Sequence, residues 1–243
     1  MRVGPDVEVG DWVGDRIFLE SVTRSWKSGE RSLTPIPPRE YSGGRKVSKE
    51  VTNRFNALAQ RMEGLPEMAG VALAVTVTQR LMDDYFLQPK NQRSSFVAHW
   101  AEMMPVVWSM VLHPSPERQQ TLKRVLKEYV DSDLGQESSD VGQPQFERDA
   151  GYACIGAIEA YCGNPKAVAA AASELLADAQ RRAQTISTEI GEDRMSTNGE
   201  TRVLRFQQME LDRLDNAVSL LEREGFSVGV LPQLKELLRG EVS

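Results

Sequence analysis

The sequence predicts an all-α fold: an irregular multi-helix bundle of about eight helices, preceded by an extended or partly β N-terminal arm. Three observations predict it. From Ser48 onward, apolar residues recur at steps of three and four, the spacing of one helix face. The segments so marked are separated by short polar or Gly/Pro breaks, as in a helical array. Strand-like runs are confined to the first residues, so the chain divides into an arm (1–47) and an all-α domain (48–243).

The arm differs in composition. Residues 1–50 hold six of the 18 glycines and four of the 12 prolines. Val7, Val9, Trp12, Val13, Ile17, Phe18, Leu19 and Val22 suit one or two short strands around the Gly-Asp pairs at 10–11 and 14–15. Pro35, Pro37 and Pro38 keep the stretch from Leu33 to Tyr41 extended, because proline moves its neighbour out of the helical region. Gly43 and Gly44 make a joint. Two readings stand: a leader that docks Trp12 and Trp26 onto the main domain, or a separate small β-module.

The helices follow in order. Ser48 caps the first, Val51, Phe55, Leu58, Ala59 and Met62 form its stripe, and Gly64 ends it. Pro66 starts the second, which runs to about Phe86 with Met68, Val71, Ala72, Val75 and Met82 inward. Ser94 or Ser95 caps the third, whose broad apolar side carries Phe96, Trp100, Met103, Met104, Val107, Trp108 and Val111. Pro105 falls inside it and is expected to kink it. Ser115 and Pro116 begin the fourth as N-cap and N1, with Leu122, Val125, Leu126 and Tyr129 inward. The fifth starts near Gln145 and carries Ala150, Ala153, Cys154, Ala157, Ile158 and Tyr161. Gly163, Asn164 and Pro165 close it and cap the sixth, which presents Val168, Ala171, Ala172, Leu175, Ala179, Ala183, Ile186 and Ile190. A loop is expected from Gly191 to Gly199. The seventh has Leu204, Leu211, Leu214, Val218 and Leu221 and stops at Gly225. Pro232 starts a last short helix through Leu238.

Composition excludes several chemistries. The formal charge is −6, with a pI near 5.2. A general nucleic-acid binder needs a basic face, and the best candidates, Arg118, Lys123, Arg124 and Lys127, are equally a solvated helix side. No apolar run reaches the ~18–20 residues of a membrane span, and the N-terminus lacks the pattern of a secretory signal. Only two histidines and two cysteines are present, which excludes zinc ribbons and multi-histidine metal centres. His99 and His113 read as helix-edge and helix-end residues, the latter able to serve the last carbonyls. Cys154 and Cys162 lie ~12 Å apart along one helix, beyond disulfide reach, so two reduced thiols in a cytoplasmic protein are expected. No nucleophile elbow or phosphate loop occurs. No catalytic residue, metal or cofactor is assigned.

One local signal remains. Asp131, Asp133, Glu137, Asp140, Glu147 and Asp149 face only Arg148 in the stretch 131–149. An EF-hand would need further ligands at fixed positions, which are missing. A solvated acidic loop and a docking surface for a basic protein are both consistent with it. Arg80, with Asp83 and Asp84 nearby, reads as a surface or half-buried ion pair.

The second helix, from Val77 through Arg80, Leu81, Met82, Asp83 and Asp84 to Tyr85, resembles a helix end of the domain of unknown function 416 family. The alanine-rich pair from Asp149 to Ala177 resembles it too, over about residues 50–225. That family's Pro-Asn before the tyrosine is Asp83-Asp84 here. The resemblance implies an all-α bacterial cytoplasmic protein and carries no site residues.

The expected function is therefore protein–protein interaction, of the adaptor or toxin-immunity type. Asp131, Asp133, Glu137 and Asp140, together with the arm, are the expected contact surfaces. The alternative is a small-ligand binder or enzyme with a pocket between helices, lined by Trp100, Met103, Met104 and Trp108, with Arg80 or His99 as its polar group. Neither nucleic acid nor membrane is an expected partner.

Overall fold

The computed structural model describes residues 48–86, 95–130, 145–191 and 197–239. Among them are eight α-helices and no strand: α1 (Lys49–Glu63), α2 (Glu67–Phe86), α3 (Ser95–Leu112), α4 (Pro116–Val130), α5 (Gln145–Tyr161), α6 (Lys166–Glu189), α7 (Thr197–Glu224) and α8 (Leu231–Leu238). A 3₁₀ turn, Val228–Val230, leads into α8. The all-α prediction holds. The arm and the acidic stretch with Asp131, Asp133, Glu137 and Asp140 lie outside the described residues.

The most apolar stretch becomes the central helix. Ala69, Val71, Ala72, Leu73, Ala74, Val75, Val77 and Met82 of α2 are fully buried. A helix that is apolar all round must be covered all round. Accordingly α2 packs against α3, α5, α6, α7 and α8. Its two buried hydroxyls satisfy themselves: Thr76 donates to the Ala72 carbonyl at 2.7 Å and Thr78 to that of Ala74 at 2.8 Å.

Contacts along the helices set their directions. Asp149 meets Arg181 and Gly156 meets Ala171, so α5 and α6 are antiparallel. Arg202 meets Ser187 and Glu210 meets Arg182, so α6 and α7 are antiparallel. Glu50 meets Gln208 and Arg61 meets Glu222, so α1 runs parallel to α7. Short turns at 64–66, 113–115, 162–165 and 225–227 gather at one end, where Ser115 bonds Tyr161 and Gly70 touches Val168. The far end holds the starts of α1, α5 and α7 and the C-terminus of α6.

The caps follow local chemistry, with corrections. Gly163, at φ +96°, ends α5 in a Schellman turn: Asn164 N–H donates to Glu159 O and Gly163 N–H to Ala160 O, both at 3.0 Å. Asn164 does not cap α6 with its side chain. Its Nδ2 donates back to Glu159 Oε2 at 3.1 Å. Ser48 also offers no side-chain cap; its carbonyl accepts from Thr52 Oγ1. The expected loop through Gly199 is shorter, because α7 begins at Thr197. Gly199 thus sits in the first turn, where a glycine costs less than in a helix interior.

Ser115 caps α4 as expected, accepting from Arg118 N–H at 3.2 Å. Ser115→Ala is expected to lower stability by about 1 kcal/mol. Thermal denaturation should show a fall of roughly 2–4 °C, and an unchanged midpoint would refute the cap.

Candidate functional site

Charges buried among four helices form the most developed polar constellation of the described residues. Glu210 of α7 is 2% exposed and lies under three guanidinium groups. Arg80 of α2 embraces it with both terminal nitrogens, Arg182 of α6 donates to it at 3.0 Å, and Arg213 at 2.8 Å. Asp178 of α6, 3% exposed, accepts from Arg181 at 2.5 Å and has Arg182 Nε 2.7 Å away. Arg181 also donates to Asp149 of α5 at 2.7 Å. Four arginines and three carboxylates thus tie α2, α5, α6 and α7 together.

The physics of this network is balance under burial. Desolvation raises the Glu210 carboxyl more than any one neighbour lowers it. The Arg80 hydrogen bonds, with the charges of Arg80, Arg213 and Arg182, together outweigh burial and hold it below the usual carboxylate range. Arg182 Nε and Asp178 Oδ2 face each other closely but out of line for a hydrogen bond, so their attraction is ionic. Such a network favours one helix arrangement and tolerates loss of a member poorly.

A second ionic ladder lies on the surface between α1 and α7. Arg54 pairs with Asp212 at 2.5 Å. Arg61 reaches Asp215, Ser219 and Glu222. Hydrogen bonding from Arg61 lowers the Glu222 carboxyl, while Glu222 and Asp215 raise Arg61. Asp212 and Glu222 are exposed and Arg54, Arg61 and Asp215 remain partly in solvent, so the ladder sets register more than stability.

Arg80 is the main correction to the sequence reading. It is buried, not at the surface or half-buried, and pairs with Glu210, 130 positions away, which the sequence reading did not find. Asp83 is exposed and accepts from Gln79 Nε2 at 2.7 Å. The other proposed pocket residues go elsewhere. Met103 and Met104 are buried in the core. Trp108 is half-buried, donates Nε1–H to Gln79 Oε1 at 2.7 Å, and has Lys235 Nζ 4.1 Å from its ring centroid. The side chains of His99 and Trp100 lie outside the described part. Arg80 and Trp108 therefore serve different partners, on α7 and on α2 and α8.

A shallow cleft of about 220 Å³ does exist, at the short-turn end. It is lined by Met62, Leu65, Glu67, Gly70, Ala160, Gly163, Pro165 and Val168. Glu67 is its only ionisable group, and it falls below the ~300 Å³ at which small-molecule sites usually start. His113 is exposed, and Arg118 takes the role expected of it, donating to the Ser109 and His113 carbonyls at 2.9 and 2.6 Å. Lys123, Arg124 and Lys127 are exposed on α4.

Both cysteines are free thiols. Burial pushes the Cys154 thiol far up. Burial also raises Cys162 to about 11, against the lowering charge of Lys123. Neither is poised as a thiolate. Among the described residues no group of three His, Cys, Asp or Glu is placed to hold a metal, and no helix is long and apolar enough to cross a membrane. Comparison with models of known families, with curated proteins and with solved structures returns no match.

Proposed function

We propose that the chain acts by protein–protein contact in a bacterial cytoplasm, as an adaptor or toxin-immunity type of protein. Its acidic segment, with Asp131, Asp133, Glu137 and Asp140, meets a basic partner. The observation that supports this reading is how the helical domain disposes of its charge. The buried arginines and carboxylates are engaged with one another, and the described cleft is small and apolar. The acidic stretch of the sequence runs on to Asp149 within α5, which Arg181 holds at 2.7 Å. Its remaining acids are a run of single-sign charge in the sequence, of the kind that steers a basic partner.

Reversal of Asp131, Asp133 and Asp140 to lysine tests the reading. A partner recovered by the native chain should bind the triple variant at least ~10-fold more weakly. Binding to the native chain should also weaken as salt rises from 50 to 500 mM, as screening requires. Equal binding by both proteins would remove the acidic segment from the interface.

A further inference from the structure

At Glu210 three guanidinium groups meet one carboxylate, and that carboxylate is full. Two carboxylate oxygens offer about four lone-pair sites. Oε2 accepts from Arg80 Nη1, and Oε1 accepts from Arg80 Nη2, Arg182 Nη2 and Arg213 Nη1. A guanidinium, in contrast, carries five N–H donors in one plane. Arg213 uses one of its own on Glu210, and Arg182 uses one there while turning Nε to Asp178. Arg182 Nη1 and Arg213 Nε and Nη2 have no hydrogen-bond acceptor among the described residues. These atoms are not sealed in. Of the two side chains only Arg182 Nε is buried without a hydrogen bond, and the side chains are 32% and 17% exposed.

We infer that Arg182 of α6 and Arg213 of α7 together bind a small oxyanion of the phosphate class, a free phosphate ion or a small phosphate monoester. Their bonds of 3.0 and 2.8 Å to the same Oε1 keep the two bonding nitrogens within ~6 Å of each other, a gap that one tetrahedral oxyanion bridges with two N–H···O bonds of ~2.9 Å. Guanidinium forks match phosphate oxygens in just this way, and a halide with one centre does not. The charge favours an anion as well: among the described residues that hydrogen-bond Glu210, three positive groups face its one negative charge. Glu210 and Asp178 are 2% and 4% exposed at their side chains, deeper than the guanidiniums they hold, so they fix the forks from behind. Because the forks are already held, binding costs little side-chain ordering. Partial burial also shields the site from salt less completely than water would, so the attraction survives at ordinary ionic strength. The inference uses no residue of the acidic segment and stands or falls apart from that proposal.

Titration of the full chain with inorganic phosphate, against sodium chloride of equal ionic strength, tests it. In NMR spectra of the arginine side chains, the Nε–H signals of Arg182 and Arg213 should move saturably with phosphate and not with chloride. Arg54, in the surface ladder, should show no saturable shift. At ten times its Kd, phosphate should raise Tm by roughly 3–6 °C over the chloride control. Arg213→Gln leaves Glu210 its bonds to Arg80 and Arg182 and should bind phosphate at least ~10-fold more weakly. O-phosphoserine that displaces phosphate extends the site to phosphate monoesters, and a failure to displace it confines the site to the free ion. Signals that move alike with phosphate and chloride, or an equal rise in Tm for the native and Arg213→Gln chains, overturn the inference. The NMR titration uses the native chain, so it decides the matter even if the variant fails to fold.

Discussion

Glu210→Ala is expected to destabilise the protein by about 3–5 kcal/mol, because it takes from the buried Arg80 guanidinium the carboxylate that both its terminal nitrogens hold. For a chain of this size that is a fall of roughly 6–20 °C in Tm. Arg80 is 7% exposed and cannot recover its hydration without moving α2, the central helix. Arg182 and Arg213 retain more solvent, at 32% and 17% side-chain exposure, and so lose less. The prediction therefore has a second arm. Replacing both partners, Arg80→Met with Glu210→Leu, removes the two buried charges together and should return stability to within about 1 kcal/mol of the native chain. A double variant as unstable as Glu210→Ala would mean that Arg80 is not the main victim of the single change.

Acid titration gives an independent handle on the same group. The folded Glu210 carboxyl is held below its ordinary 4.5. Its contribution is thus complete above pH 4.5 and is lost as pH falls through the lower folded value. The native chain should lose stability as pH falls below about 4.5 more steeply than Glu210→Gln, which has no proton to take up there. Parallel acid limbs in urea denaturation would contradict the assigned shift.

The helices were legible because their signals are local. Caps such as Ser115 and stops such as Gly163 and Gly225 are written within a few residues of where they act. The second helix was read with one inward stripe, whereas Ala69, Val71, Ala72, Leu73, Ala74, Val75 and Val77 are buried on every side. The charge network was only half legible. Glu210 and Asp178 share helix faces with Leu214 and Leu175, and an acid on an inward face must have a cation. Which cation depends on tertiary contacts between segments more than a hundred residues apart. Arg80 was therefore set beside Asp83 and Asp84, its neighbours in sequence, although Glu210, which it holds with both terminal nitrogens, lies on α7. Trp108 shows the same limit from the other side. Its apolar body was visible in the sequence, but its bond to Gln79 follows only from how α3 crosses α2.

Gly156→Leu should be among the most damaging single substitutions in the domain, at about 3 kcal/mol or more, whereas Gly156→Ala should cost roughly 1–2 kcal/mol. An added Cβ at this position of α5 would stand 3.0 Å from the Ala167 carbonyl oxygen, 3.0 Å from Ala171 Cβ and 3.2 Å from the Ala171 nitrogen. Two of the three are backbone atoms, which yield only if α6 moves as a body. Helix propensity works in the opposite direction, favouring alanine over glycine by about 1 kcal/mol, and it offsets part of the strain. The two effects separate in a double mutant. Ala171→Gly removes the methyl contact and leaves the backbone contacts, so it should relieve Gly156→Ala by about 0.5–1 kcal/mol and not fully. A Gly156→Ala protein more stable than the native one would show that propensity dominates and that α5 and α6 are not in close contact there. The same movement of α6 would also displace Arg181 and Arg182 from Asp149 and Glu210, so the larger Gly156→Leu change should weaken the buried network along with the helix contact.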